Sequence, residues 1–294
     1  MILFIDYNDI DNFLTKFKKT TETEVIKIKP IPNTPTKITS SKFGGVFYLP
    51  KNAEIPTNNK GEQLTFLAQI NCEELPKNNI YPKNGIMQFW IYGGSPDLGA
   101  DFEVDYNNIN SNTNKRVLYY PNITEHYSED EITTLYQPKN FEEETGNTTL
   151  TPLMKGSPFA LSFELDKQSM TPTDHHFDAH FVKEWNKRFP SFKIELDWTG
   201  LYVYDEELYD YIEEQFNENF SAAQIGGFPS FTQWDPRFKD EFKDYNILLL
   251  QINSYNSPEC EIMWGDCGIG NFFITKKQLK KLDFSKILYT WDCY

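Results

Sequence analysis

Long apolar runs are missing from this sequence. The longest lie near Ile247–Leu250, far short of the ~20 residues a bilayer-spanning helix needs. Met1-Ile2-Leu3-Phe4-Ile5 is apolar but stops at Asp6 without a basic leader, so no signal peptide is expected and a soluble, cytoplasmic protein is. Cysteine is scarce. Cys72, Cys260, Cys267 and Cys293 are the only four in 294 residues, and none has the paired spacing of a zinc site. Free buried thiols are the expectation. Basic residues are outnumbered, with 28 Lys and Arg against 43 Asp and Glu and a net charge of −15. Phosphate backbones are bound chiefly through Lys and Arg, so a nucleic-acid partner is disfavoured. An acidic field can steer a basic partner, or serve only solubility.

Signatures of common catalytic chemistry are missing as well. The chain has no Gly-x-Ser-x-Gly elbow, no phosphate-cradling Gly-x-x-x-x-Gly-Lys, and no Gly-x-Gly-x-x-Gly after a strand. Gly268-Ile269-Gly270 is a fragment of the last and reads as a turn leading into a strand. No carboxylate spacing picks out an acid–base couple. No catalytic residue and no cofactor is assigned.

What is present is repetition. At a fixed offset of 182, Gly44, Gly45, Leu67, Gln69, Ile70, Asn71 and Pro76 meet identical residues at 226, 227, 249, 251, 252, 253 and 258. One inserted residue later, Gly85, Phe89 and Ile91 meet Gly268, Phe272 and Ile274. The 24 Phe, 17 Tyr and 6 Trp favour strands. Together these predict one mainly β domain over 1–294, β-roll-like and internally duplicated. The first repeat spans about 36–121, an insertion with helices about 122–220, and the second repeat about 221–294. Each copy is expected to supply about four strands. In the first these are Val46–Leu49, Leu64–Ile70, Gly85–Tyr92 and Val117–Tyr120, the last matched by Ile287–Thr290. Each Gly-Gly pair suggests backbone at positive φ or a close chain approach.

Helical periodicity appears in three places. Ile10, Phe13, Leu14 and Phe17 form one apolar stripe near the N-terminus. Phe177, Phe181 and Trp185 align on a helix from about His175 to Phe189, with Asp174 as cap and Pro190 as stop. Leu208, Ile212 and Phe216 align on another from about Glu206 to Phe220. Phe159–Phe163 and Trp198–Tyr204 read as strands, and Glu142–Asn147 as an exposed acidic loop.

Lys42-Phe43-Gly44-Gly45, Phe66–Asn71, Gly226–Gln233 with Asp235-Pro236-Arg237, Leu249–Ile252, Trp264-Gly265-Asp266 with Asn271–Ile274, and Trp291-Asp292-Cys293 together resemble the bacterial YwqG-like family over about residues 40–294. The resemblance implies a mostly β, roll-like, duplicated fold of unassigned biochemical function. Gene neighbourhoods of secreted toxins imply an immunity or interaction role.

The strongest candidate surface combines Gln233, Trp234, Asp235 and Arg237 with Trp264 and Asp266. An aromatic beside a carboxylate and a guanidinium can build a pocket. Alternatively, Asp235 and Arg237 pair to hold a turn, Trp264 and Trp291 fill the core, and Asp266 forms a turn. Gln69 and Gln251 are single polar residues in apolar strands. They either bond backbone across the pseudo-twofold or face a shared cavity, and the structural role is preferred because a buried amide must be hydrogen-bonded. His176 and His180 share a helix face at i and i+4, but a third ligand and the glutamate of a zincin motif are missing, so no metal is assigned. The leading reading is a non-catalytic interaction protein, immunity-like, binding a basic partner such as a toxin. The alternatives are a small-molecule or glycan module that stacks on Trp234, Trp264 and Trp291, or an enzyme using Asp235 and Asp266.

Overall fold

A computed structural model describes residues 5–79, 81–100, 113–139, 152–155, 157–216 and 221–294. The predicted acidic loop 142–147 lies outside these residues, as does most of the Asn-rich stretch before Lys115. The chain opens with α1 (Tyr7–Thr21), whose start is fixed by Asp6 accepting from the Asn8 N–H at 2.9 Å. Ile10, Phe13, Leu14 and Phe17 are buried as a single stripe.

The strands follow in chain order as β1 (Thr23–Ile31), β2 (Lys42–Phe43), β3 (Thr65–Asn71), β4 (Ile86–Ile91) and β5 (Lys115–Tyr120). After α2 (Glu129–Leu135) come β6 (Leu153–Lys155) and β7 (Phe159–Gln168). Three helices intervene, α3 (Phe177–Arg188), α4 (Gly200–Tyr204) and α5 (Glu206–Phe216). The chain ends with β8 (Ala223–Gly226), β9 (Ile247–Asn253), β10 (Tyr255–Ser257), β11 (Cys260–Ile262), β12 (Ile269–Ile274), α6 (Lys276–Lys280) and β13 (Leu288–Asp292). The protein is mainly β.

Ten strands form one antiparallel sheet in the order β13-β12-β9-β8-β1-β7-β2-β3-β4-β5. A small sheet, β10-β11-β6, shares no ladder with it but packs Leu153, Cys260 and Ile262 into the same core. On either side of the central β1–β7 pair stands a flank of four strands. β3 and β9 begin and end 182 residues apart, and β4 and β12 are offset by 183. The sheet curls until its flanks meet and is nearly closed. Phe89 and Phe272 touch edge to face at 5.2 Å, the Tyr81 hydroxyl donates to the Leu248 carbonyl, and the Tyr289 hydroxyl donates to the Leu98 carbonyl at 3.1 Å.

Strands β3, β4, β9 and β12 are buried on both faces. Strands covered on two sides read as continuous apolar runs rather than as alternation. Their inner faces share one core containing Leu67, Phe89, Leu250 and Phe272. The outer faces have separate cores, one of Phe47, Phe66, Trp90 and Ile132, the other of Phe231, Phe242, Leu248 and Phe273. A fourth cluster joins α1 to α3 and α5, with Phe13 edge-to-face on Phe181 and Trp185 at 5.4 and 5.5 Å.

Both Gly-Gly pairs have the positive φ anticipated for them: 67° and 75° at Gly44 and Gly45, 68° and 70° at Gly226 and Gly227. Two expected strands are absent. Val46–Leu49 pairs with no strand; it crosses the outer face of the sheet as an extended strap. Trp198–Tyr204 is helical from Gly200, because Trp198 and Leu201, three residues apart, both bury into the helical cluster. The thiols also differ from expectation: Cys72 and Cys260 are buried, but Cys267 is exposed and Cys293 half-buried.

Candidate functional site

The two predicted glutamines hold the straps that cover the sheet's outer faces. Gln69 Oε1 accepts from the Tyr48 N–H at 2.9 Å, while Gln88 Nε2 donates to the Tyr48 carbonyl at 2.6 Å. In the other flank, Gln251 Oε1 accepts from the Ser230 N–H at 2.8 Å, and Asn271 Nδ2 donates to the Ser230 carbonyl at 3.0 Å. Gln69 faces Gln88 across the β3–β4 ladder, and Gln251 faces Asn271 across β9–β12. Each clamp thus joins both backbone polar groups of one strap residue to amides on two adjacent strands. The bonds lie within each flank, not across the two. Gln88 and Asn271 were missed because they sit one strand further on and differ in type.

Beyond Ser230 the second strap continues along the sheet. Asp292 Oδ2 accepts from the N–H groups of Thr232 and Gln233 at 3.0 and 2.8 Å, and Gln233 Nε2 donates to the Cys293 carbonyl at 2.6 Å. Burial pushes the Asp292 carboxyl upward.

The strap then turns into an ionic cluster. Asp235 caps the short turn Pro236–Phe238 by accepting from the Arg237 N–H at 2.9 Å. The Arg237 guanidinium is 4% exposed and is gripped by Asp235, Nε to Oδ1 at 2.9 Å and Nη2 to Oδ2 at 2.6 Å. Its Nη2 also donates to Asp174 Oδ2 at 2.8 Å, and its plane lies over the Phe273 ring at 4.6 Å. Asp174 Oδ1 accepts from the His176 N–H at 2.9 Å, just before α3, and Asp235 Oδ2 from the His175 N–H at 3.1 Å. Burial pushes the Asp174 carboxyl up, but the His176 hydrogen bond and the Arg237 charge outweigh it and hold the group at about 2. Burial, with Arg237 close by, lowers His175, whereas the hydrogen bond to Asp174 raises His176. Arg237 is held further into its charged range, because its two carboxylates outweigh the cost of burial.

The predicted site residues therefore divide. Asp235 and Arg237 pair in a buried turn. Trp264 is fully buried, its ring 6.2 Å from that of the half-buried Trp291 and packed over Gly270, where an added Cβ would lie 2.4 Å from it. Asp266 is exposed, and its carbonyl accepts from the Tyr294 N–H at 3.1 Å. Trp234 reaches the surface, 45% exposed, and meets the 63% exposed Phe238 edge to face at 5.4 Å. Lys239 Nζ lies 5.4 Å from the Trp234 ring centre. Phe238 was not anticipated. Only the turn geometry, which places residues 234 and 238 side by side, reveals it.

A family model described as a domain of unknown function, DUF1963, matches residues 41–293. The chain belongs to this family. The match takes in both flanks of the sheet, both clamps and the ionic cluster, but neither α1 nor β1. A search of curated proteins found no match.

No helix among the described residues is long and apolar enough to cross a membrane.

Proposed function

We propose that the two four-strand flanks are copies of one ancestral unit, and that the second copy presents Trp234 and Phe238 as the anchor for a basic protein partner. The observation that carries this reading is an exposed aromatic pair on a rigid mount. Trp234 lies between Gln233, bound to Asp292, and Asp235, locked to Arg237; Phe238 ends the same capped turn. Interface hot spots are enriched in such aromatics, and a prearranged side chain loses little freedom on binding. Exposed Asp240, Glu241 and Asp244 outnumber Lys239, which lies over the Trp234 ring, and Lys243, which pairs with Asp240 at 3.1 Å, so the surroundings keep a net negative charge toward a cationic surface. The net charge of −15 adds a long-range attraction for the same partner.

Catalysis is the weaker reading, because Asp235 is bound to Arg237 and Asp266 sits on an open turn. The YwqG-like resemblance points to the class of partner, a secreted toxin neutralised by this chain.

The test places a photoreactive phenylalanine analogue at position 238 and, as control, at exposed Leu196, in the native cells. A discrete adduct with a basic protein is expected from position 238 only. Equal labelling from both positions would reject the assignment.

A further inference from the structure

We propose that Asp174, His175 and His176 form a zinc-binding site. One ligand atom from each lies within 4.8 Å of those of the other two. The turn ahead of α3 creates this convergence: the Phe177 N–H donates to the Asp174 carbonyl at 2.8 Å, and the His176 N–H to the Asp174 side chain at 2.9 Å. Two consecutive imidazoles are thereby folded together, with ring centres 3.7 Å apart. His180, one turn into α3, is not in the set; its ring packs 5.5 Å from that of Phe17.

A second observation points to a ligand. His175 Nε2 is buried and has no hydrogen-bond partner among the described residues. Buried polar atoms are nearly always paired, and an ion or water is the usual partner when no protein atom serves.

The surroundings fit a cation. Arg237 holds Asp174 Oδ2 at 2.8 Å and the His176 N–H holds Oδ1 at 2.9 Å, which together orient the carboxylate. A metal would share Oδ1 with that N–H and displace the His176 Nδ1 contact at 3.3 Å, while Asp235 fixes the His175 backbone at 3.1 Å. Such outer hydrogen bonds typically orient metal ligands. Two buried carboxylates against one guanidinium leave one negative charge, which offsets the positive end of α3. The His176 side chain is 63% exposed and offers a path from solvent. Two imidazoles and a carboxylate suit Zn²⁺ and leave a fourth position for water. Zinc–ligand bonds of about 2.0–2.2 Å require the donors to draw in by on the order of 1 Å, which needs rotation of both the His175 and the His176 rings.

The test titrates Zn²⁺ into full-length protein carrying Cys267→Ser and Cys293→Ser, by calorimetry, with Co²⁺ absorption as a second readout. One equivalent is expected, with a dissociation constant on the order of 1 µM or tighter, and a tetrahedral Co²⁺ spectrum without thiolate charge transfer. His176→Ala, at an exposed side chain that leaves the fold intact by circular dichroism, should weaken binding about 10-fold or more, and His180→Ala should not. Absence of a stoichiometric heat and of a Co²⁺ spectrum, or binding unaffected by His176→Ala, would overturn the proposal.

Discussion

Gln251 Oε1 holds the Ser230 N–H at 2.8 Å, and 182 residues earlier Gln69 holds the Tyr48 N–H at 2.9 Å. Both glutamines are buried, Tyr48 is buried and Ser230 half-buried, so removing either amide takes from a strap N–H the acceptor that the fold provides. Gln251→Leu and Gln69→Leu should each lower stability by about 1–3 kcal/mol in urea unfolding. Losses below about 0.5 kcal/mol, the range of neutral surface changes, would show that the straps do not depend on their clamps.

The clamps also show what the sequence made legible. Strands β3 and β9 could be read because an apolar run with one amide recurs at a fixed offset. The strap Val46–Leu49 could not: four β-prone residues look like a strand, and only the fold shows that side-chain amides at Gln69 and Gln88, with Lys42, bind its backbone. The ionic cluster was half visible. Asp235 and Arg237 are neighbours in sequence, but Asp174 arrives from 61 residues earlier and no local pattern announces it. Trp198 and Leu201 read as strand because aromatic content outweighed a spacing of three that is helical.

Arg237→Met should be among the most damaging single changes. It leaves Asp174 and Asp235 as buried carboxylates without their counter-ion, a situation that costs about 3–5 kcal/mol. Arg237→Lys should recover only part of this, since an ammonium cannot reproduce the fork that grips both carboxylates. Denaturant midpoints measure both. A lysine variant as stable as the natural chain would contradict the geometry.

Lys42 supplies a pH dependence with a defined sign. Its ammonium is buried and donates to the Lys37 and Val46 carbonyls at 2.6 and 2.8 Å. Burial lowers it to about 8, against the opposing pull of Glu129 and Glu74. The folded value lies below the unfolded one, so from about pH 8 to 10.5 the unfolded chain binds more protons and the Lys42 penalty shrinks as pH rises. The natural chain should therefore gain on Lys42→Met by on the order of 1–2 kcal/mol between about pH 7.5 and 9.5. Comparing the two proteins cancels the thiols and tyrosines that titrate nearby. A difference that stays flat or falls would refute the assignment.

Two glycines separate backbone strain from crowding. Gly45 and Gly61 have φ of 75° and 78°, but an added Cβ meets Pro158 at 2.6 Å in the first and nothing within 4 Å in the second. Gly61→Ala should cost only the left-handed strain of about 1–2 kcal/mol, and Gly45→Ala clearly more, by thermal or urea unfolding. Equal losses would mean that the Gly45–Pro158 approach is not tight.

The functional account is tested most directly by Trp234→Ala combined with Phe238→Ala, measuring partner affinity and unfolding midpoint on the same protein. Both side chains are exposed, so the midpoint should hardly move, whereas affinity for the cross-linked partner should fall about 30-fold or more, as loss of an interface anchor of about 2 kcal/mol or more implies. Unchanged affinity at an unchanged midpoint would contradict the account.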